Sequence, residues 1–437
     1  MNLGGLRAIV RTFAATGIAV TPPLLLAQGS ALTLEQAIEM AKNRNGVVRA
    51  AVLDVQASRS RVRQSFSSFL PVVSPSYRFQ NSRSETYTGP AQTLSKSNDH
   101  ISSLSASWRL LDTGERELSY RASRRSASAQ EASSRQILRN VLFAVHQQFF
   151  DTLRSEELRK VADAQVKRTE ELYKQTEVQI QVKVAPEKDL KQARADLLNA
   201  RVSQLQAENQ VSTTSATLKA TIGWDRDEAL PELQPIAEPQ EFPKLPALES
   251  VIAEGVANRP DLVASRLRVQ AQEFDVKLAD RNSSVQLSVD ANYVRDFSPD
   301  VFDSRTLTVL LTYPLFDGFA SREAAREARL SLEASRNSLV QAEREARAEI
   351  ESAYKLLEQD TLRVQAAKAA YDAALENYRA AAEAHRLGAE GTTVITVLTA
   401  QVSLVTAESN FVEALFDFRI SEVRLSLVTG RLLPGEP

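Results

Sequence analysis

Three histidines (His100, His146 and His385) and no cysteine are all the soft metal ligands that the 437-residue chain offers. The histidines are too far apart in sequence to form a ligand set. The lack of cysteine excludes disulfides, thiolate-bound metals, a thiol nucleophile and a lipidated N-terminal cysteine. No glycine-rich phosphate loop is present. Asp and Glu total 55, but they follow helical surfaces, and no apolar pocket is evident that would shift a carboxyl pKa towards acid–base work. Lys plus Arg (53) balance them to a net charge of -2, which leaves no electrostatic case for nucleic acid. The residue types argue against catalysis, cofactors and metals, so function has to come from the shape of the elements.

Glycine (14) and proline (16) are few and clustered. Between the clusters run long Ala/Glu/Gln/Arg/Leu segments, the composition of long helices and coiled coils. The sequence is also written twice. At an offset of 205 residues, Leu110, Asp112, Arg121, Arg124 and Ser126 meet Leu315, Asp317, Arg326, Arg329 and Ser331. Gln136 and Arg139 meet Gln341 and Arg344, and Glu171 and Tyr173 meet Glu376 and Tyr378. Nearer the start of each copy, "LEQAI" from Leu34 meets "LESVI" from Leu248, and Asn43-Arg44 meets Asn258-Arg259. The change of offset is assigned to Asn81 to Asp99, read as a polar, turn-rich loop whose counterpart, Asp296 to Ser304, is shorter.

The expected organisation is a signal peptide over 1–31, a first repeat over 32–224, a Pro-rich linker over 225–246, a second repeat over 247–430 and a tail over 431–437. The signal peptide rests on Arg7 and Arg11 ahead of an apolar run, with small residues at Ala27, Gly29 and Ala31. Each repeat predicts a helix (33–67 and 246–282), a strand hairpin, a very long helix (115–181 and 320–386), a turn and another helix (187–221 and 393–429).

The strand segments alternate with period two. Val285, Leu287, Val289, Ala291 and Tyr293 share one face, and Gln286, Ser288, Asp290 and Asn292 the other. Leu307, Val309, Leu311, Tyr313 and Leu315 oppose Thr306, Thr308 and Thr312, while Leu104, Ala106, Trp108 and Leu110 oppose Ser103, Ser105 and Ser107. Segments of about ten residues with this dyad pattern and aromatic ends fit a transmembrane barrel wall. Strands in hydrocarbon must close on themselves, and four cannot, since barrels begin at about eight. Assembly is therefore expected, and an open pore requires at least three copies.

The mature start "LTLEQAIEMAKNRN" with its echo "ALESVIAEGVANRPDL", the strand exits "WRLLDTG" and "YPLFDGF", and the turn "RLGAEGTTVITVLTAQ" together resemble the TolC-like outer-membrane efflux family. The resemblance covers essentially everything after the signal peptide. It implies a mainly α protomer with a small β part, tandem-duplicated, whose four strands contribute to a twelve-stranded trimeric barrel on a long helical tunnel. It further implies a homotrimer in the outer membrane of a Gram-negative bacterium, docking in the periplasm on an adaptor and an inner-membrane transporter. The duct would be passive, serving efflux or type I secretion. By the same resemblance, adaptor docking falls on the tip turns Val182-Lys183-Val184 and Leu387-Gly388-Ala389. The tunnel constriction falls on Thr396 and Thr399, where relatives often carry aspartates, with Glu390 nearby. The competing reading is a periplasmic coiled-coil adaptor or scaffold, which would carry one helical hairpin between β-rich halves.

Overall fold

The computed structural model describes residues 31–88, 91–182, 186–224, 228–239, 242, 244–281, 284–297, 301–387, 393–433 and 436. Nearly all of the expected signal peptide, 1–30, lies outside them. The elements in chain order are α1 (Leu34–Arg44), α2 (Gly46–Ser67), β1 (Val72–Thr88), β2 (Ala91–Leu111), α3 (Glu115–Gln181) and α4 (Glu187–Ile222). The same series follows again as α5 (Leu248–Asn258), α6 (Pro260–Ala279), β3 (Gln286–Asp296), β4 (Phe302–Thr312), α7 (Ala320–Arg386) and α8 (Val394–Val428).

The first expected helix of each repeat is two helices. Asn45 ends α1 in an extended conformation, and its side chain accepts from the N–H groups of Val47 and Val48 to start α2. In the second repeat Pro260 opens α6, where a missing N–H costs nothing. Thr33 begins α1 with a capping box closed by Gln36. Gly223 ends α4 at φ 69°, and a Cβ there would meet the backbone carbon of Arg44 at 3.2 Å, so only glycine fits both the turn and the contact.

The four strands form one antiparallel sheet in the order β1-β2-β3-β4. β3 and β4 have 11 residues each, enough to span a bilayer core at a tilt. β1 and β2 are longer, at 17 and 21 residues. Here the sequence reading of Asn81 to Asp99 as a loop is corrected, because most of that segment is paired strand. β2 and β3 stay paired as far as Ile101↔Asp296. Beyond that level β1 and β2 continue alone, from Gln80↔Asp99 to Thr88↔Ala91, roughly 30 Å of hairpin. Backbone pairing holds this extension with little apolar side chain to announce it.

α3 and α7 each run 67 residues, roughly 100 Å. On the strand side of the molecule the helices pack in the order α2-α3-α6-α7, and on the other side α4-α3-α8-α7. The segment between the repeats lies across the middle of this wall as a belt. Leu32 and Leu233 form a parallel bridge, with Leu32 N–H donating to Glu232 O at 2.8 Å and Gln234 N–H to Leu32 O at 3.0 Å. Beneath the bridge is the largest core cluster, with Leu142, Val145, Phe149 and Leu153 of α3 and Leu218 and Ile222 of α4. Each such side chain contributes about 1.5–3 kcal/mol by leaving water. The belt continues over the second repeat, where Phe242 sets its ring edge-on against Phe418 and Lys368 meets Glu238 at 2.7 Å.

Candidate functional site

Residues opposite each other across an antiparallel ladder share a face, so the register can be read as rows. Val73, Ala106, Ala291 and Leu307 form one row across all four strands. Trp108, Val289 and Val309 form a second, and Leu287 faces Leu311 in a third. The rows between them are mostly polar: Ser74, Ser105, Asn292 and Thr306, then Ser107, Asp290 and Thr308, with Val72 at the β1 end of the latter. A bulge between Arg109 and Leu111 removes Leu110 from its expected place in the alternation. The apolar rows face solvent in the protomer, with Leu307, Val309 and Leu311 each exposed by more than 60%.

Aromatic rings stand at both ends of these rows. At the helix end, Phe66, Phe69 and Tyr120 cluster together, Trp108 Nε1 donates to Phe69 O at 3.0 Å, and the Arg116 guanidinium lies 5.1 Å from the Phe69 ring. At the far end, Tyr77 and Phe79 pack on His100, and Tyr293 donates to Asp303 at 3.1 Å. An apolar band between two aromatic girdles is the lipid-facing surface of a membrane barrel. Among the described residues no helix is long and apolar enough to cross a membrane.

The sheet is open. β1 and β4 each have one unpaired edge within the protomer. The helical layers end in the same way, α2 and α4 on the first-repeat side and α7 on the second-repeat side. On the free side of α4, Leu198, Val202 and Leu205 are exposed at positions i, i+4 and i+7, the spacing of a coiled-coil seam.

The other end of the molecule is the helical tip. Leu172 of α3 packs with Val394 and Val397 of α8 and with Tyr378 of α7, so both helix–helix turns cap the same end. Val182 and Leu387, the residues that terminate α3 and α7, are 63% and 71% exposed there. Of the sequence-predicted tip residues, Lys183, Val184, Gly388, Ala389 and Glu390 lie outside the described residues. Thr396 and Thr399 are exposed on α8. Thr396 is the third residue of a capping box begun by Thr393, and Thr399 donates to Ile395 O of its own helix at 2.9 Å.

The two helical hairpins meet along α3 and α8 through polar contacts that no sequence pattern announced. Arg154 pairs with Asp417 at 3.0 Å, Arg168 with Glu408 at 3.6 Å, and Gln401 Nε2 donates to Thr169 Oγ1 at 2.7 Å. Asp417 also pairs with Arg363 of α7 at 2.8 Å. Nearby, burial pushes the carboxyl of Asp360 up, against a hydrogen bond from Ser421. Arg154 and Asp417, Arg168 and Glu408, and Thr169 and Gln401 are far apart in sequence and become neighbours only when the two repeats dock. Among the described residues no group of carboxylates and histidines could hold a metal ion.

A wall of this construction has known counterparts. The fold is shared with CusC (TM-score 0.79, 18% identity, covering 91% of this chain and 92% of that one). It is shared with the Campylobacter jejuni CmeC outer membrane channel (0.81, 20%, 91% and 85%). The open state of the Neisseria gonorrhoeae MtrE outer membrane channel has it as well (0.77, 19%, 91% and 89%). No curated relative matches the sequence significantly. The family model for outer membrane efflux proteins matches residues 37–224 and 251–431, which takes in both repeats. The chain belongs to the outer membrane efflux protein family and is an outer-membrane channel, not an enzyme.

Proposed function

We propose that three copies of the chain close into a passive export duct, the outer-membrane part of a tripartite efflux or type I secretion assembly. The observation that carries this reading is the agreement of the open edges at three levels. β1, α2 and α4 bound one side of the protomer, and β4 and α7 the other. A first-repeat edge is then free to meet a second-repeat edge of the next copy, a head-to-tail contact that generates rings. Four strands per copy give eight in a dimer, a size filled by its own side chains, and twelve in a trimer, which leaves a lumen. The rows of Ser, Thr, Asn and Asp line that lumen, and the helices continue it as a tunnel through the periplasm.

In this reading residues 1–31 are the export signal and the two repeats span 32–224 and 247–430. The tip turns, Val182-Lys183-Val184 and Leu387-Gly388-Ala389, dock a periplasmic adaptor that brings an inner-membrane transporter. The exposed aliphatic side chains of Val182 and Leu387 support this, because apolar residues presented at a helical tip are suited to burial by a partner. Thr396, Thr399 and Glu390 would form the narrow point.

Substituting Leu387→Asp and Gly388→Asp tests the docking step. The expected result is normal insertion in the outer membrane with loss of dye export from cells that supply the adaptor and transporter. Full export by both variants would reject the tip as the docking surface.

A further inference from the structure

A cavity of about 560 Å³ lies where the inter-repeat belt crosses α3 and α8, within the size range of small-molecule sites. Its floor is aromatic: Phe149 and Phe150 are 1% and 5% exposed. Ile236 of the belt and the first turn of α1 complete the walls. It sits in the middle of the protomer, away from the edges β1, α2, α4, β4 and α7. It belongs neither to the barrel nor to the tip.

The polar groups around it are unevenly matched. His146 is 1% exposed, and its Nδ1 lies 2.8 Å from Leu142 O. A carbonyl only accepts, so the proton sits on Nδ1 and Nε2 is left as a bare acceptor. Nε2 is buried with no partner, on the ring edge opposite the one held by the helix. Burial holds the imidazole below its ordinary pKa, against the Leu142 hydrogen bond and the nearby carboxylate of Glu35. The neutral form with its lone pair is therefore the one present at neutral pH. Arg419 donates to Glu422 at 3.2 Å and to Ala237 O at 3.1 Å, while its Nε is buried without a partner. That pair cancels its own charge. Glu35, exposed at the mouth in the first turn of α1, has no ion pair among the described residues. The cavity thus presents one unmatched carboxylate, one buried acceptor, one buried guanidinium donor whose charge Glu422 balances, and an aromatic floor.

We infer that this cavity binds a protonated primary amine carried on an apolar or aromatic body. The ammonium would donate to the Glu35 carboxylate and to His146 Nε2, while the body rests on Phe149 and Phe150, whose ring faces also attract a cation. An anion would be repelled by Glu35, and the charge of Arg419 is already balanced by Glu422. A metal ion would find too few ligands.

The test titrates monodansylcadaverine, a primary ammonium on a fluorescent naphthalene body, into the full-length protein in lipid nanodiscs, read by anisotropy. One saturable site per chain is expected. Acetylating the amine should weaken binding roughly tenfold or more, the value of one charge-assisted hydrogen bond. Glu35→Gln should do the same, and Ile236→Trp should remove binding by filling the cavity from the exposed belt. Absence of saturable binding would overturn the inference. So would equal binding of the acetylated probe, or retention of binding by both variants, which would place the probe elsewhere, such as in the lumen.

Discussion

Arg116 Nε lies 2.5 Å from the carboxylate of Asp112, at the point where β2 gives way to α3. Asp112 also accepts from the N–H groups of Gly114 and Arg116, at 3.1 and 3.2 Å. Arg116 in turn donates to the carbonyls of Arg109 and Leu110, at 2.7 and 3.2 Å. One ion pair thus closes the last turn of the strand onto the first turn of the helix. The second repeat keeps the carboxylate as Asp317 but has Ser321 in place of the arginine, and the pair there is exposed.

This asymmetry predicts unequal costs. Arg116→Ala leaves a buried carboxylate and two strand-end carbonyls without their donor, and should destabilise the folded protein by about 2–4 kcal/mol. Ser321→Ala should cost less than about 0.5 kcal/mol. Denaturant unfolding of the detergent-solubilised protein reads both. Equal effects would remove the structural role assigned to Arg116.

The rows across the sheet predict a face-specific response. Leu307 stands in the row with Ala291, Ala106 and Val73, near the middle of the spanning segment. Leu307→Arg should cost about 2–4 kcal/mol and lower the folded fraction in outer-membrane extracts. Thr306→Arg, one residue away on the polar face, should insert normally. Heat-modifiable gel mobility distinguishes the two, and an inverted result would exchange the lipid and lumen faces.

Asp360 makes the stability of the helical wall depend on pH in a definite direction. Burial raises its carboxyl, opposed by the Ser421 hydroxyl; Asp417 raises it further, and Arg363 opposes. The folded state therefore holds the Asp360 proton more tightly than the unfolded state does. Ionisation costs the fold nothing below the ordinary carboxylate value of 3.8, and the full cost is present once pH exceeds the folded value. Asp360→Asn should accordingly be more stable than wild type at neutral pH, and the gain should vanish as pH falls towards 3.8. Unfolding midpoints across that range check the sign, and a gain that grows on acidification would contradict it.

Much of this architecture was legible in the residues. The long helices run where alanine, glutamate and arginine continue without interruption, and α3 and α7 begin and end as read from the sequence. Ile350, Leu357 and Val364 of α7 and Leu404, Phe418 and Leu425 of α8, spaced by multiples of seven, are buried. Three things were not legible, for physical reasons. The outer part of the first hairpin has no apolar alternation, because strand pairing outside a membrane or core needs only backbone hydrogen bonds. The break at Asn45 was hidden because a single capping side chain interrupts an otherwise continuous helical pattern. The belt was hidden as well, since Leu32 and Leu233 are about two hundred residues apart and each looks unremarkable alone. His146, Glu35 and Ile236 become a site only through that belt, so their scattered positions gave no motif. At the tip, the proposed docking role of Val182 and Leu387 comes from resemblance to relatives, not from any chemistry of their own.

The most direct test is the copy number of the assembled channel. Native mass spectrometry of the protein, extracted from the outer membrane in mild detergent, should give three mature chains, since three open sheets of four strands close a barrel with a lumen. A folded monomer or dimer as the dominant species would contradict the closed wall on which this account of the channel rests.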